Sequence, residues 1–308
     1  MVFSGVWAGS ISLSTAHNLR KVHLGTATLS SSLSRIGYLG STPCSHDAVP
    51  MATHFELHIE QGPPLEASRR KIGIVKGVQA YRWYTVEATG RARHTGTTDF
   101  RNHADPLLAA MLQSHRLATA HAALASTGIL NLKPGSTNTV PESVRFSLDI
   151  RAPADSTVEA LEAQIVADFG KIAAGEGVGL LNESVTKGRL CRAKITTDSV
   201  SSAVRFHPDC IKVVTEAAAS ALGPDSGELT QEMVSGASHD SIYTSKCVLT
   251  SMIFVPCGDG VCHNPTEYTS PENCALGAQV LLQSMLGFDD EGREELHRII
   301  SWFRCWSK

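Results

Sequence analysis

Apolar and polar positions alternate most regularly in His54-Phe55-Glu56-Leu57-His58-Ile59-Glu60, where Phe55, Leu57 and Ile59 interleave with Glu56, His58 and Glu60. A period of two predicts a strand with one apolar and one polar face. Gly62-Pro63-Pro64 ends it, because proline supplies no ladder donor and glycine tolerates a sharp turn. Ile72 to Val78 predicts a second strand, and Tyr81 to Thr89 a third. An Ala/Leu/Met-rich run from Ala104 to Leu124, opened by Asp105-Pro106, predicts a helix. Gly128–Leu132 and Ser143–Arg151 predict two strands joined by a Pro/Gly/Ser/Asn turn. Asp155-Ser156-Thr157 then caps a helix with Val158, Leu161, Ile165, Val166, Phe169 and Ile172 at helical spacing, and a last strand falls near 178–186.

This β-α-β-β-α-β order predicts a split ferredoxin-like unit. From 207 onward helices and strands alternate again. Pro208–Leu222 reads as a helix, Val248–Val255 as a near-continuous apolar strand of the buried parallel kind, and Ser270-Pro271-Glu272 as the start of a helix to Leu286. Residues 1–50 have no strong period; within them Ser30 to Tyr38 reads as a short helix ended by glycine. The segment from Arg293 to Lys308 sets Trp302, Phe303 and Trp306 among basic residues, a pattern open to an amphipathic helix.

Composition narrows the class. At 308 residues, 42% hydrophobic and 19% charged, the chain reads as soluble and globular, long enough for two domains with cores. A net charge of −3 gives no reason to expect nucleic acid or a membrane surface as partner, and no apolar run approaches a bilayer span. The first residues lack a basic region, so no signal peptide is expected. Eight scattered cysteines without a CxxC pair argue against a zinc ribbon or disulfide scaffold and fit a reducing compartment, hence a cytoplasmic location.

For chemistry, the first strand's polar end is a candidate metal or substrate site, although a surface strand with an ordinary polar face has the same pattern. His58-Ile59-Glu60-Gln61-Gly62-Pro63 resembles a signature of the N-carbamoyl-L-amino-acid hydrolase, allantoate amidohydrolase and β-ureidopropionase family, two-metal enzymes of the aminoacylase-like metallopeptidase clan. Arg93-His94-Thr95-Gly96-Thr97-Thr98, Asn138 with Asp149-Ile150-Arg151, Ser235-Gly236-Ala237-Ser238-His239-Asp240 and Val261-Cys262-His263-Asn264-Pro265 resemble its further motifs in the same order. The resemblance runs from about residue 2 to 286.

It implies an α/β fold: a partial zinc-aminopeptidase-like catalytic domain at 1–78 and 194–308, with an inserted ferredoxin-like lid and dimerisation domain at 79–193. It implies that His58 and His263 each hold one of two Zn2+ or Mn2+ ions about 4 Å apart, which activate water and polarise a carbonyl. It implies that His94 donates to the oxyanion from across a homodimer, that Asn138 and Arg151 hold the polar and carboxylate end of a carbamoyl or ureido substrate, and that Gln61 and His239 border that substrate. For single histidines, a satisfied imidazole is the plainer reading.

Relatives also carry a His-x-Asp step and a Glu-Glu pair ahead of these motifs; no Glu-Glu pair precedes His58 here, so the resemblance implies a chain beginning after that half-domain. Asp99, His103, Ser238, Cys262 and Asn264 depart from the usual motif residues, which leaves substrate choice open. Two functions are therefore expected: an amidohydrolase of non-peptide C–N bonds, impaired as this chain alone, or a non-catalytic dimerising remnant that binds small acidic ligands.

Overall fold

The computed structural model describes residues 1–20, 26–99, 105–107, 118–173 and 191–306. They fall into two compact units, one of Met1–Val78 with Val204–Lys308 and one of Gln79–Ala203. The fold of each is mixed α/β.

The first unit opens with three short helices, α1 (Val2–Trp7), α2 (Leu13–Asn18) and α3 (Leu29–Arg35). Hydroxyl groups start two of them: Ser12 Oγ accepts from Thr15 N, and Thr28 and Ser31 form a capping box. β1 (Thr53–Ile59), α4 (Pro64–Ala67) and β2 (Ile72–Val78) follow. The second unit contributes β3 (Ala80–Thr89), β4 (Arg93–His94), β5 (Leu124–Ser126), β6 (Leu130–Lys133), β7 (Thr139–Val140), β8 (Ser143–Ala152), α5 (Asp155–Ala173) and β9 (Arg192–Ser201). The chain then returns to the first unit with β10 (Val204–Arg205), α6 (Pro208–Leu222), α7 (Ser226–Leu229), β11 (Thr230–Ser235), α8 (Ser241–Thr244), β12 (Leu249–Val255) and α9 (Pro271–Trp306).

In the first unit β1 runs parallel to β12, setting His58 opposite Phe254. β12 in turn runs antiparallel to β2, and β2 parallel to β11. The sheet is thus mixed, where the apolar run of β12 predicts parallel neighbours. What that run reports is burial on both faces, which strand direction does not decide. On one face Phe55, Leu57 and Ile59 join Ile253 and Val255 against Val214 and Ala218 of α6 and Val280 of α9. The helix α9 approaches closely at Gly277, where a Cβ would stand 2.7 Å from both Leu57 Cδ1 and Val255 Cγ1. On the other face Met252, Phe254 and Val75 pack with Leu65 and Ile242. The apolar half of β1 therefore belongs to one core, and its polar half lies on the opposite face.

The second unit is built on an antiparallel sheet ordered β5-β8-β3-β9, with β6 also pairing β8. Val144, Phe146, Leu148 and Ile150 of β8 point one way into a core with Val158, Leu161, Ile165 and Phe169 of α5. These are four of the six positions expected on the helical stripe; Val166 is exposed instead, and the side chain of Ile172 lies outside the described side chains. The unit closes at Ala203, ten residues past the expected boundary at 193, because β9 pairs along β3 from Thr89 to Tyr81 and Ala203 N bonds the Asp155 carboxylate. β9 is mostly exposed and reads Arg-Ala-Lys-Ile-Thr-Thr-Asp-Ser-Val-Ser, so it carries little apolar period by which to find it. The strand expected near 178–186 and most of the helix expected over 104–124 lie outside the described residues. The backbone of α9 continues as one helix to Trp306, through the Trp-rich segment.

Candidate functional site

The polar face of β1 carries His54, Glu56 and His58. Its parallel pairing with β12 and the loop between β11 and α8 bring a fourth group to it, the His239 imidazole. Glu56, His58 and His239 each offer one ligand atom, and these atoms lie within 4.8 Å of one another. The two imidazoles meet edge to face with centroids 4.7 Å apart, and both lean on the Phe254 ring.

Hydrogen-bond accounting fixes which atoms are free. His58 Nδ1 lies 2.7 Å from Ile59 O, which can only accept, so Nδ1 carries the proton and Nε2 keeps its lone pair. Ser235 Oγ donates to Ala237 O at 3.1 Å and accepts from Ala237 N at 3.0 Å. Its remaining capacity is as an acceptor for His239 Nε2, 2.8 Å away, which leaves the lone pair of His239 on Nδ1. That Nδ1 stands 3.8 Å from Glu56 Oε1. Glu56 Oε2 is engaged, taking bonds from Ser241 N at 3.1 Å and Ser241 Oγ at 2.6 Å. Burial, aided by the neighbouring His58 and opposed by Asp240, holds the His239 imidazole down at about 4, so it is neutral at neutral pH. His54 is also lowered by burial, against the pull of Glu56 and Asp240, and it bonds Thr244 Oγ1 at 3.0 Å.

Ser235, His239 and Glu56 stand in the order of a nucleophilic triad. The serine is 1% exposed and bonded both ways to Ala237, so no substrate carbonyl can reach it. A metal is the better occupant. Two imidazoles and a carboxylate suit zinc or manganese, and each has an outer partner that orients it. The donors fit one ion; among the described residues no second group of three converges.

Glu56 is the residue that sequence reading missed, although the period of two already set it on the same face as His58. His239, expected to border substrate, is 3% exposed and touches His58, which also places it among the three candidate ligands. His263, expected as a ligand of the other ion, sits exposed in the loop after β12, outside the three-residue group, with its backbone N bonded to Glu267. Gln61 lies two residues past the end of β1. Both have left-handed backbone, φ 60° at Gln61 and 55° at His263, a conformation that costs side-chain-bearing residues about 1 kcal/mol or more. Their loops are joined: at Gly260 a Cβ would fall 2.7 Å from Pro63 N, and Asp259 N bonds Glu66. Glu60 is buried with Oε2 bonded to Leu65 N and Oε1 without a partner among the described residues, and burial raises its carboxyl.

The other three expected residues lie in the second unit. β4 pairs with β7, so His94 stands opposite Thr139, and Thr95 N bonds Asn138 O at 2.9 Å. His94 Nδ1 accepts from Gly96 N at 3.1 Å, which puts the ring proton on an exposed Nε2. Asn138 Oδ1 accepts from Ser136 and Thr139 hydroxyls. Arg151, at the end of β8, holds Asp149 through Nε at 3.1 Å and Nη2 at 2.6 Å and lies over the Tyr81 ring at 5.5 Å.

Residues 37–286 match the family model described as peptidase family M20/M25/M40. The chain belongs to that family. Within it, the chain is 35% identical over 291 residues to an N-carbamoyl-L-amino-acid amidohydrolase of Rhizobium meliloti, covering 93% of this chain and 65% of that protein. It is 31% identical over 231 residues to an allantoate amidohydrolase of Bacillus subtilis (strain 168), covering 73% and 52%. Among solved structures, a hydantoinase/carbamoylase family amidase from Burkholderia multivorans matches with TM-score 0.76 and 35% identity, covering 93% of this chain and 66% of that one. The chain thus spans just under two thirds of the Rhizobium protein and about half of the Bacillus one. The M20 membership bears out the family resemblance of the motifs. The relatives' names are those of hydrolases acting on C–N bonds other than peptide bonds, which favours an enzyme over a non-catalytic remnant.

Proposed function

We propose that this M20 chain is a metal-dependent amidohydrolase of the terminal C–N bond in N-carbamoyl amino acids, ureido acids or allantoate. The observation that carries the reading is the free Nε2 of His58, held by Ile59 O and facing Glu56 and His239, in a chain whose relatives are named for carbamoyl and allantoate hydrolysis. His58, with Glu56 and His239, would hold a divalent ion, zinc or manganese, and His263 would offer a donor to a second; such ions would supply acidified water and a polarised carbonyl. In the hydrolysis, water adds to the carbamoyl carbon and the C–N bonds break to give free amine, ammonia and carbon dioxide.

The chain's own groups position the substrate. The Arg151 guanidinium exchanges Asp149 for the substrate carboxylate, a planar fork meeting a planar acceptor. Asn138 and Gln61 bind the polar end, and His94 offers its Nε2 proton to the oxyanion. The working form is a cytoplasmic homodimer joined through the 79–193 lid domain. Taken alone, the 308-residue chain turns over slowly: a bridged ion pair needs about five ligands, and one group of three converges among the described residues.

The test is ammonia release from N-carbamoyl-L-amino acids and from allantoate by the purified chain, beside the Rhizobium relative. Slow release from at least one of them is expected. A rate equal to the relative's contradicts the impairment, and no release or binding of any of these substrates contradicts the function.

A further inference from the structure

The space between Glu56, His58 and His239 presents three acceptors and no donor. His58 Nε2 is free because Nδ1–H is spent on Ile59 O. His239 Nδ1 is free because Nε2–H is spent on Ser235 Oγ, whose own proton goes to Ala237 O. Glu56 Oε2 takes both donors of Ser241, and Oε1 faces His239 Nδ1 at 3.8 Å. Acceptors turned toward one another in a partly buried site repel, and His239 itself is only 3% exposed. The arrangement becomes favourable when a cation joins them. We propose that these three residues form a single-ion centre of their own, with Glu56 Oε1, His58 Nε2 and His239 Nδ1 as ligands and a fourth position open, and that His263 is not a ligand of this ion.

The donor set selects the metal. Two imidazoles with one carboxylate suit zinc and cobalt, whereas calcium and magnesium prefer oxygen ligands throughout. The outer bonds of Ile59, Ser235 and Ser241 hold each ligand's tautomer or rotamer before the ion arrives, the arrangement expected of an oriented metal site. The strand spacing also makes the pair: residues two apart on β1 share a face, so Glu56 and His58 reach one point.

This inference deepens the proposed function by completing the coordination around His58, and it is read by binding, so its failure is distinguishable from a failure of hydrolysis. The experiment uses the whole chain, stripped with chelator and titrated with Co2+ and Zn2+, with visible spectra for Co2+ geometry and elemental analysis for stoichiometry. One ion per chain with the strong visible bands of four-coordinate cobalt is expected. Glu56→Gln, which keeps the shape and the bonds from Ser241, should weaken binding by about 100-fold or more, and His239→Asn should abolish the four-coordinate spectrum. His263→Ala should leave this spectrum and affinity unchanged, with circular dichroism verifying that every variant is folded. Loss of the ion in His263→Ala with retention in Glu56→Gln overturns the ligand set. A folded chain that binds no ion, or two with equal affinity, overturns the single-ion centre.

Discussion

The groups on β1 and the groups on β4, β7 and β8 are satisfied in opposite ways. Around His58, residues far apart along the chain are brought together: Ser241 reaches Glu56 across 185 residues, and His239 arrives from the loop after β11, although His58 and His239 are each oriented by a nearby group, Ile59 O and Ser235 Oγ. These side chains are buried or half-buried, their donors are spent outward, and their lone pairs face inward. In the second unit the side-chain hydrogen bonds of the three expected site residues include near neighbours, although Arg151 also lies over the Tyr81 ring, distant in the chain. His94 bonds Gly96, Asn138 bonds Ser136 and Thr139, and Arg151 bonds Asp149, all one or two residues away. Short-range partners at partly exposed positions are easily exchanged for a substrate, because water can replace each of them. Long-range buried partners are not. On the proposed reading, one region would hold an ion and the other would hand over its hydrogen bonds.

The largest effect that bears on this contrast is loss of the scaffold behind the first region. Ile253→Ala removes a fully buried side chain from β12 and should cost about 3–4 kcal/mol, measured by denaturant unfolding, with metal affinity lost at the same midpoint. Retained metal binding in the unfolded range would show that the donors converge without the sheet. Next comes Ser235→Ala, which strands the buried His239 Nε2–H. A cost of about 1–3 kcal/mol is expected, with metal affinity reduced about 10–100-fold by calorimetry; an unchanged affinity would mean that the tautomer is set elsewhere.

A smaller effect tests the second unit. Burial pushes the Tyr84 phenol up to about 12, against the pull of Arg82, and its hydroxyl has no partner among the described residues. Folding thus favours the neutral phenol. Its contribution is complete below the unfolded pKa of about 10 and is lost as pH rises toward 12. Tyr84→Phe should flatten that alkaline loss and raise stability at neutral pH by about 1 kcal/mol; an unchanged pH profile would contradict the burial argument. Smallest is Asp149→Asn, which removes the carboxylate charge beside Arg151 at a stability change of about 0.5 kcal/mol. Binding of an N-carbamoyl amino acid, followed by titration calorimetry, should tighten, and weakening would make Asp149 a partner that Arg151 needs.

How much of this was legible depended on range. The strand at Phe55–Ile59, the apolar run of β12 and the stripe of α5 were readable because burial writes a period into neighbouring residues. β9 was not, since a mostly exposed strand writes none. The motif order identified the family, and period two already aligned Glu56 with His58. That His239 would complete the group was not legible, because it depends on how a loop after β11 packs against β1. Nor could spacing show that His263 would be exposed while His239 was buried, since both are single histidines in Gly- or Pro-bearing loops.

The most direct test of the account is hydrolysis of an N-carbamoyl-L-amino acid by the purified chain after complete chelation and stepwise return of Zn2+. The account predicts no ammonia release from the stripped chain, slow release that returns as Zn2+ is restored, and none from His58→Ala at any zinc level. Release from the stripped chain, or undiminished release from His58→Ala, would contradict it.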